Sequence, residues 1–234
     1  MSSVEAVVFD WGGTLSVWAD VDLLDLWQAC AERLAPERVA EVCAQLAAVE
    51  QRAWEHVVTD QRSSRLADLL AEATRELGLD VTDSALELAA TRYLDAWTPH
   101  VLHDPEAAPM LRVLRGRGLR TGLLSNTHWP RAFHEHFLER DGLSDLLDVR
   151  CYSSELAHTK PHPEAFRAVL TALDVAPGQA VFVGDRPFDD IGGAQGVGMR
   201  AVLRPHRATP MTPGATPDAV IGSLAELPDL IASW

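Results

Sequence analysis

The 234-residue sequence has few cysteines and no long apolar run. Its three cysteines are isolated and form no CxxC pair, so they provide no disulfide framework and favour a reducing compartment. The first apolar run ends at Asp10 with no basic segment before it, and no stretch approaches the roughly 20 apolar residues of a membrane-spanning helix. We therefore expect a cytoplasmic protein without a membrane partner.

Positive charge is also scarce. Twenty basic residues stand against 34 acidic residues, and the formal net charge is −14. This balance argues against nucleic acid or an anionic membrane surface as the main partner. It leaves an anionic small substrate open, because a metal ion or a few local groups can set the sign of a pocket. Lys160 is the only lysine, which suggests a role that needs a compact ammonium group rather than a guanidinium.

Two kinds of sequence pattern divide the chain. Residues 5–9 (EAVVF) predict a short buried strand, and after residue 100 strands alternate with helices, which is typical of a parallel sheet covered on both faces. Between them, apolar residues recur at three- and four-residue spacing and predict about four helices. The prediction is an α/β core of residues 1–15 and 100–234 with an all-helical insertion over residues 16–99. We expect a monomer or a homodimer.

Groups of polar residues follow the predicted strands or precede a helix. Because ligands of open α/β sheets bind beyond the carboxyl ends of the strands, we expect these groups to meet at one edge of the sheet. The groups are Asp10-Trp11-Gly12-Gly13-Thr14, Ser125-Asn126-Thr127, Lys160-Pro161, and Gly184-Asp185 followed by Asp189-Asp190.

These residue types suit phosphoryl transfer. A carboxylate such as that of Asp10 can attack phosphorus and form an aspartyl-phosphate, which divides one hard step into two. A lysine and a hydroxyl can hold the charged equatorial oxygens, and further carboxylates can bind Mg²⁺. Each group alone also fits a turn or a helix cap. Their order and their common position at strand ends favour a catalytic site.

The pattern resembles that of the haloacid dehalogenase-like hydrolase superfamily along essentially the whole chain. The anchors of that superfamily are a strand followed by D-x-D-G-T, then Ser or Thr, then Lys-Pro, then G-D-x-x-x-x-D, and this chain matches all but one. The resemblance implies a Rossmann-like core with a helical cap inserted after the first motif. It also implies that Asp10 is the nucleophile and that Ser125 and Lys160 hold the phosphate.

The resemblance further implies a Mg²⁺ site. Its ligands would be the carboxylates of Asp10, Asp185 and Asp190 and the backbone carbonyl of Gly12, with Asp189 as a neighbour that could share the role.

Substrate contacts are predicted in the first motif, after the second strand of the core and in the helical insertion. The residues are Gly12, Gly13, Asn126, Arg62 and Arg65. The two arginines lie in the interhelical loop DQRSSRL and could contact a polar, anionic or sugar-like group, or simply be solvated. Trp11 and Trp18 flank the first motif and either wall the pocket or pack the core against the cap.

The one departure is Gly12, where related phosphatases carry an aspartate that acts as general acid and base. That assistance is typically worth about 10²–10⁴-fold in rate. Three explanations are open. The leaving group needs little protonation, as in an anomeric or acyl phosphate; a histidine (His128, His158 or His162) substitutes; or turnover is lost and the chain only binds.

Two other activities within the superfamily bear on the prediction. Phosphonoacetaldehyde hydrolases need a lysine in the cap, and residues 16–99 contain none. Haloacid dehalogenases lack the second aspartate but work without metal and lack the Gly-Asp pattern, which is present here at Gly184-Asp185. We therefore predict a Mg²⁺-dependent phosphatase of a small phosphorylated metabolite. The alternatives are a 2-haloacid dehalogenase and a weakly active or inactive binding protein of the same fold.

Overall fold

The protein is built on one parallel β-sheet. A computed structural model describes residues 3–206 and 215–234, and within these ranges six strands pair in the order β3-β2-β1-β4-β5-β6. The strands are β1 (Ala6–Phe9), β2 (Arg120–Ser125), β3 (Val149–Tyr152), β4 (Ala180–Gly184), β5 (Arg200–Leu203) and β6 (Ala219–Val220). Strand β1 lies within the predicted strand and the other strands alternate with helices after residue 100, so the predicted parallel α/β sheet is confirmed. The Pro, Thr and Gly content of the sequence HRATPMTPGATPD after β5 predicts an irregular segment, and most of it lies outside the described residues.

The helices follow the two predicted patterns. Within the described ranges they are α1 (Leu23–Leu34), α2 (Val39–Thr59), α3 (Leu66–Glu76), α4 (Asp83–Trp97), α5 (Ala107–Gly116), α6 (Arg131–Arg140), α7 (Pro163–Leu173), α8 (Gly193–Gly196) and α9 (Leu227–Ala232). The first four follow one another between β1 and α5, as expected for a helical insertion. A helix expected after β4 begins instead as a π-helical segment, Pro187–Gly192, and such segments occur often at functional sites.

Two apolar layers cover the sheet because side chains alternate along each strand. On one face Phe9 and Val183 pack with α5, α6 and α9. On the other face Val8 and Phe182 pack with α7 and α8. With both faces covered, the central strands β1 and β4 are buried throughout, as in parallel sheets generally, and only their ends are available to a ligand.

Helices α1 to α4 have a hydrophobic cluster of their own. The rings of Trp27 in α1 and Tyr93 in α4 stack with their centroids 3.9 Å apart. Cys30 and Cys43 are buried in the same cluster as free thiols. The four helices thus bury their apolar stripes mainly against one another rather than against the sheet. Among the described residues, no helix combines the length and the apolar character that a membrane span requires.

Polar side chains mark the starts of two of these helices. The Asp22 carboxylate accepts a hydrogen bond from the backbone N–H of Leu24 at the start of α1. The Thr82 hydroxyl oxygen accepts from Ala85 at the start of α4. Such caps satisfy backbone donors that have no partner within the helix, and each typically contributes about 1 kcal/mol.

The short helix α8 packs closely on the segment that carries Lys160, and its first glycine makes this possible. A Cβ atom on Gly193 would lie 2.5 Å from the Phe166 ring and 2.9 Å from the Pro161 backbone. A Cβ atom on Gly196, in the same helix, would meet nothing within 4 Å. Close contact with α8 therefore helps to fix the segment that follows the lysine.

We predict that Gly193→Ala destabilises the protein by about 1–3 kcal/mol, because the added methyl group overpacks this contact. The matched variant Gly196→Ala should be neutral or slightly stabilising, since alanine has the higher helix propensity. Urea unfolding of the three proteins measures the difference. Equal stability of Gly193→Ala and Gly196→Ala would contradict the tight packing described.

Candidate active site

Asp10 lies where the sheet reverses its direction of growth. It directly follows β1, which pairs with β2 on one side and β4 on the other, so Phe9 is level with both Leu123 and Val183. The backbone N–H of Asp10 donates to the carbonyl of Val183 at 2.9 Å. This is the switch point of the fold, where ligands of open α/β sheets bind. Hydrogen bonding to β4 therefore places the buried Asp10 side chain there.

The ammonium group of Lys160 lies buried between two carboxylates. Its Nζ is 2.5 Å from Asp10 Oδ1 and 2.8 Å from Asp190 Oδ1, and the residue is 1% exposed. The same Nζ lies 5.2 Å from the centroid of the Phe182 ring. Burial lowers the pKa of Lys160, but the two carboxylates outweigh it and the net shift is upward, so the group stays charged. The lone lysine therefore lies at the predicted site.

Asn126 holds the backbone of this lysine. Its Nδ2 donates to the Lys160 carbonyl at 2.9 Å, and its Oδ1 accepts from the Lys160 backbone N–H at 2.8 Å. The sequence predicts a substrate contact at Asn126, and the side chain does line the cavity. Its amide, however, already bonds to the main chain. Asn126 therefore positions Lys160.

Three carboxylates converge beside the lysine. One oxygen each of Asp10, Asp185 and Asp190 lies within 4.8 Å of the others, and all three residues are buried. The backbone N–H of Arg186 donates to Asp190 Oδ2 at 2.9 Å. The indole N–H of Trp18 donates to Asp185 Oδ2 at 3.0 Å. The residue before the π-helical segment thus holds the Asp190 carboxylate, and the loop after β1 holds the Asp185 carboxylate.

The charge in this cluster does not balance. The cluster and the neighbouring Asp189 contribute four buried carboxylates, whereas Lys160 and Arg186 contribute two cations, so negative charge is in excess. Burial raises the pKa of Asp10, Lys160 lowers it, and the Asp190 and Asp185 carboxylates raise it again, with a net upward shift. A divalent cation would supply the missing charge. Clustered carboxylate oxygens are also the donor type that Mg²⁺ prefers, so the residues fit the predicted metal.

The active-site cavity has a volume of about 250 Å³ and two different walls. The first wall consists of residues at the strand ends, among them Asp10, Ser125 and Lys160. The second wall comes from the inserted helices and consists of Leu23, Glu50, Trp54, Tyr93 and Trp97. Five of the seven tryptophans of the chain line this cavity: Trp11, Trp18, Trp54, Trp97 and Trp129. Trp11 and Trp18 therefore wall the pocket.

The two glycines of the first motif, Gly12 and Gly13, differ in the space available for a side chain. Gly13 has a φ of +78°, and a Cβ there would lie 2.1 Å from Trp18 Nε1 and 2.6 Å from Asp185 Oδ2, so glycine is required. A Cβ on Gly12 would meet nothing within 4 Å. Gly12 lines the cavity. Lack of space at the Cβ position therefore does not explain why the usual aspartate is absent.

One of the three candidate histidines reaches the cavity. His128 is buried in its lining, and burial lowers its pKa to about 4, so the ring is neutral at pH 7. Its Nδ1 lies 2.7 Å from Ser64 Oγ, and its Nε2 has no hydrogen-bond partner in the described part of the chain. His158 and His162 stack on each other at 3.7 Å and are not among the residues that line the cavity.

The two predicted arginines also lie away from the cavity lining. Arg65 holds Asp68 at the start of α3, with two side-chain bonds of 2.9 Å. Arg62 forms a β-bridge with His158 and lines a separate surface pocket. The two arginines predicted to contact the substrate thus cap a helix and pair with a neighbouring backbone instead. Ser64 and Leu66 of the same interhelical loop both bond to His128 in the cavity lining.

The cavity-lining residues of the inserted helices are not predicted by any sequence motif. Glu50, Trp54, Tyr93 and Trp97 line the cavity, but none belongs to a recognised motif. A signal did exist in α2, where Glu50 lies four residues after the buried Leu46 and four before Trp54 on one helical stripe. An acidic residue on such a stripe indicates a buried carboxylate, which needs a specific reason.

The fold and the acidic site define a hydrolase with a Rossmann-like core. The chain belongs to the haloacid dehalogenase-like hydrolase family, whose model matches residues 4–198. It is 30% identical over 237 residues to a phosphoglycolate phosphatase of Rhodospirillum rubrum, covering 98% of this chain and 90% of that protein.

Two further similarities agree with this assignment. A phosphoserine phosphatase of Thermus thermophilus is 38% identical over 123 residues, a match that spans only 53% of this chain and 49% of that protein. Among solved structures, a 2-haloacid dehalogenase of Pseudomonas syringae superposes with a TM-score of 0.68 at 26% identity, covering 99% of each chain. The predicted superfamily is confirmed, and the chain is an enzyme of the hydrolase class.

A second buried histidine in the cavity lining makes the stability depend on pH. His134 stacks on Tyr152, with ring centroids 4.7 Å apart, and its Nε2 lies 3.0 Å from Thr127 Oγ1. Burial, together with smaller effects of the charges of His103 and Arg131, lowers its pKa from 6.5 to about 3. The unfolded chain therefore takes up this proton first, and the stability contributed by neutral His134 is lost as the pH falls below about 6.5.

We predict that His134→Gln reduces the loss of stability between pH 7 and pH 5 by about 2 kcal/mol, since one group contributes about 1.4 kcal/mol per pH unit in this window. His136→Gln, which changes an exposed histidine of the same helix, is the matched control. Urea unfolding at both pH values measures the effect. The same pH dependence in wild type, His134→Gln and His136→Gln would contradict a buried neutral His134.

Proposed function

We propose that this chain is a Mg²⁺-dependent phosphatase of a small phosphorylated metabolite and that it works through an aspartyl-phosphate on Asp10. The observation that carries the proposal is the buried cluster of Asp10, Lys160, Asp185 and Asp190 at the switch point of the sheet. The names of similar proteins, phosphoglycolate phosphatase and phosphoserine phosphatase, support phosphate monoesters as the substrate class.

The phosphate group would bind between the strand ends. Lys160 and Ser125, both buried and both in the lining of the cavity, would hold its equatorial oxygens. Asp10, Asp185 and Asp190 would hold Mg²⁺, which when bound masks the repulsion between the carboxylate and the incoming phosphate. The helices α1 to α4 would act as the cap, because their side chains close the other side of the cavity.

The reaction would proceed in two displacements. A carboxylate oxygen of Asp10 attacks phosphorus while the bond from phosphorus to the alcohol oxygen breaks, and the alcohol leaves with that electron pair and gains a proton. Water then attacks the phosphorus of the aspartyl-phosphate, which releases inorganic phosphate and restores the Asp10 carboxylate. The loss of a proton from that water completes the balance.

Protonation of the leaving oxygen would depend on the substrate. Gly12 has no side chain to donate a proton, and His128 is a poor donor at pH 7 because its pKa is lowered to about 4. We therefore favour the first of the three explanations, in which the leaving group itself needs little protonation. Acyl, anomeric and electron-poor alkyl phosphates are the substrates that meet this condition.

We predict phosphate release from such compounds with Mg²⁺, loss of release in EDTA, and a loss of at least about 10³-fold in Asp10→Asn, because the nucleophile is removed. Asp25→Asn, an exposed change in α1, should keep full activity. The measurement is a panel of phosphorylated metabolites assayed with each protein.

The same panel should include 2-chloropropionate, because a 2-haloacid dehalogenase shares the fold at a TM-score of 0.68. Halide release in EDTA without phosphate release would replace the proposal by the dehalogenase alternative. No product from any compound, with Mg²⁺ bound, would favour a binding protein.

We predict that Gly12→Asp raises kcat/KM for simple alkyl phosphates by about 10–100-fold, because the open space at this position accepts the acid that such leaving groups need. The gain for acyl phosphates should be much smaller. Gly12→Asn is the matched control, since it fills the same space without a carboxyl group. Equal gains from Asp and Asn, or equal gains for both substrate types, would contradict a missing proton donor.

A further inference from the structure

Glu50 is a buried carboxylate in the helical wall of the active-site cavity. It is 9% exposed, and the indole N–H of Trp27 donates to its Oε2 at 2.9 Å. The Tyr93 hydroxyl lies 3.5 Å from Oε1. An indole can only donate a hydrogen bond, so these surroundings place an acceptor oxygen at this point of the wall. The phosphoryl-transfer steps make no use of it.

No cation compensates this carboxylate. Across residues 3–206 and 215–234, no Lys, Arg or His side chain forms an ion pair with Glu50. The cavity has two basic side chains in its lining, and both have carboxylate partners. Lys160 bonds Asp10 and Asp190, and Arg186 lies 3.5 Å from Asp189. Burial raises the pKa of Glu50, because its charge has no counter-charge nearby, and a cationic group of a ligand would stabilise the carboxylate form.

Aromatic rings line the same cavity as this carboxylate. Trp54, Tyr93, Trp97 and Trp129 line the same cavity, and the rings of Trp97 and Trp129 lie 5.0 Å apart. Electron-rich ring faces attract cations, above all quaternary ammonium groups, and a nearby carboxylate adds to the attraction. The helical wall contributes no Lys or Arg, so it offers no cation to an anionic group.

We infer that the substrate is a phosphomonoester with an ammonium or quaternary ammonium group, which Glu50 and the aromatic wall bind while Lys160 and Ser125 hold the phosphate. This assignment rests on the proposed function. A sugar would need many polar partners, and this wall is mostly aromatic. A carboxylate-bearing substrate would place a second anion against Glu50. A cationic group near the leaving oxygen also withdraws electrons from it, which suits a site with glycine at position 12.

The test compares phosphocholine with 3,3-dimethylbutyl phosphate in wild type and Glu50→Gln. The second ester has the same shape, but a neutral carbon replaces the cationic nitrogen. We expect the ratio of kcat/KM for the two esters to fall by at least about 10-fold in Glu50→Gln, because the variant keeps the shape and the Trp27 hydrogen bond but loses the charge. The difference in leaving-group chemistry is the same in both proteins and cancels. Glu55→Gln, an exposed change in the same helix, should leave the ratio unchanged.

Turnover of 3,3-dimethylbutyl phosphate, the ester without a cationic group, shows that Glu50→Gln is folded and active. An unchanged ratio in that variant, or a wild-type preference for the uncharged ester or for phosphoglycolate, would overturn the cation site while the phosphatase proposal stands. If no phosphate ester is hydrolysed, the phosphatase proposal fails, and the cation site is then tested by ligand binding alone.

Choline should then quench the tryptophan fluorescence of wild type at concentrations at least about 10-fold lower than 3,3-dimethylbutanol, and this difference should vanish in Glu50→Gln. Equal binding of both would overturn it.

Discussion

The burial of one ammonium group between two carboxylates is the constraint on which the site depends. Lys160 lies within 2.8 Å of both Asp10 and Asp190, in a region closed to solvent. Removing one partner from such a group typically costs about 3–5 kcal/mol, so the three elements that carry these residues must dock together. Asn126 serves this docking directly, because it fixes the lysine backbone. The arrangement of these charged groups therefore depends on the packing of the core.

The two walls of the cavity differ in the kind of side chain that they contribute. The strand ends provide charge, with an excess of carboxylate that suits a divalent cation. The inserted helices provide aromatic surface and a single carboxylate, Glu50. Because α1 to α4 have a hydrophobic cluster of their own, their cavity-facing side chains can vary without disturbing the sheet. Under the proposed function, the strand ends carry out the reaction and the inserted helices select the substrate.

Much of the fold and the catalytic half of the site could be predicted from the sequence. Buried strands of a parallel sheet are short apolar runs, and Asp10, Ser125 and Asp185 each follow or end such a run. The substrate half could not be predicted in this way. Arg62 and Arg65 had the right chemistry, but helix capping and backbone pairing direct them elsewhere. A loop position in the sequence does not specify which side of the loop faces the cavity.

The sequence by itself determined the order of the strands along the chain, the helical insertion, the catalytic motifs and the absence of an acid at Gly12, because these depend on local pattern and residue identity. Only the tertiary structure decided which side chains share the cavity. Glu50 and Trp97 lie 47 residues apart and on different helices, and neither has a local signature of ligand binding. They share the cavity because α2 and α4 pack around one apolar cluster, and the periodic pattern of each helix does not specify how the helices pack together.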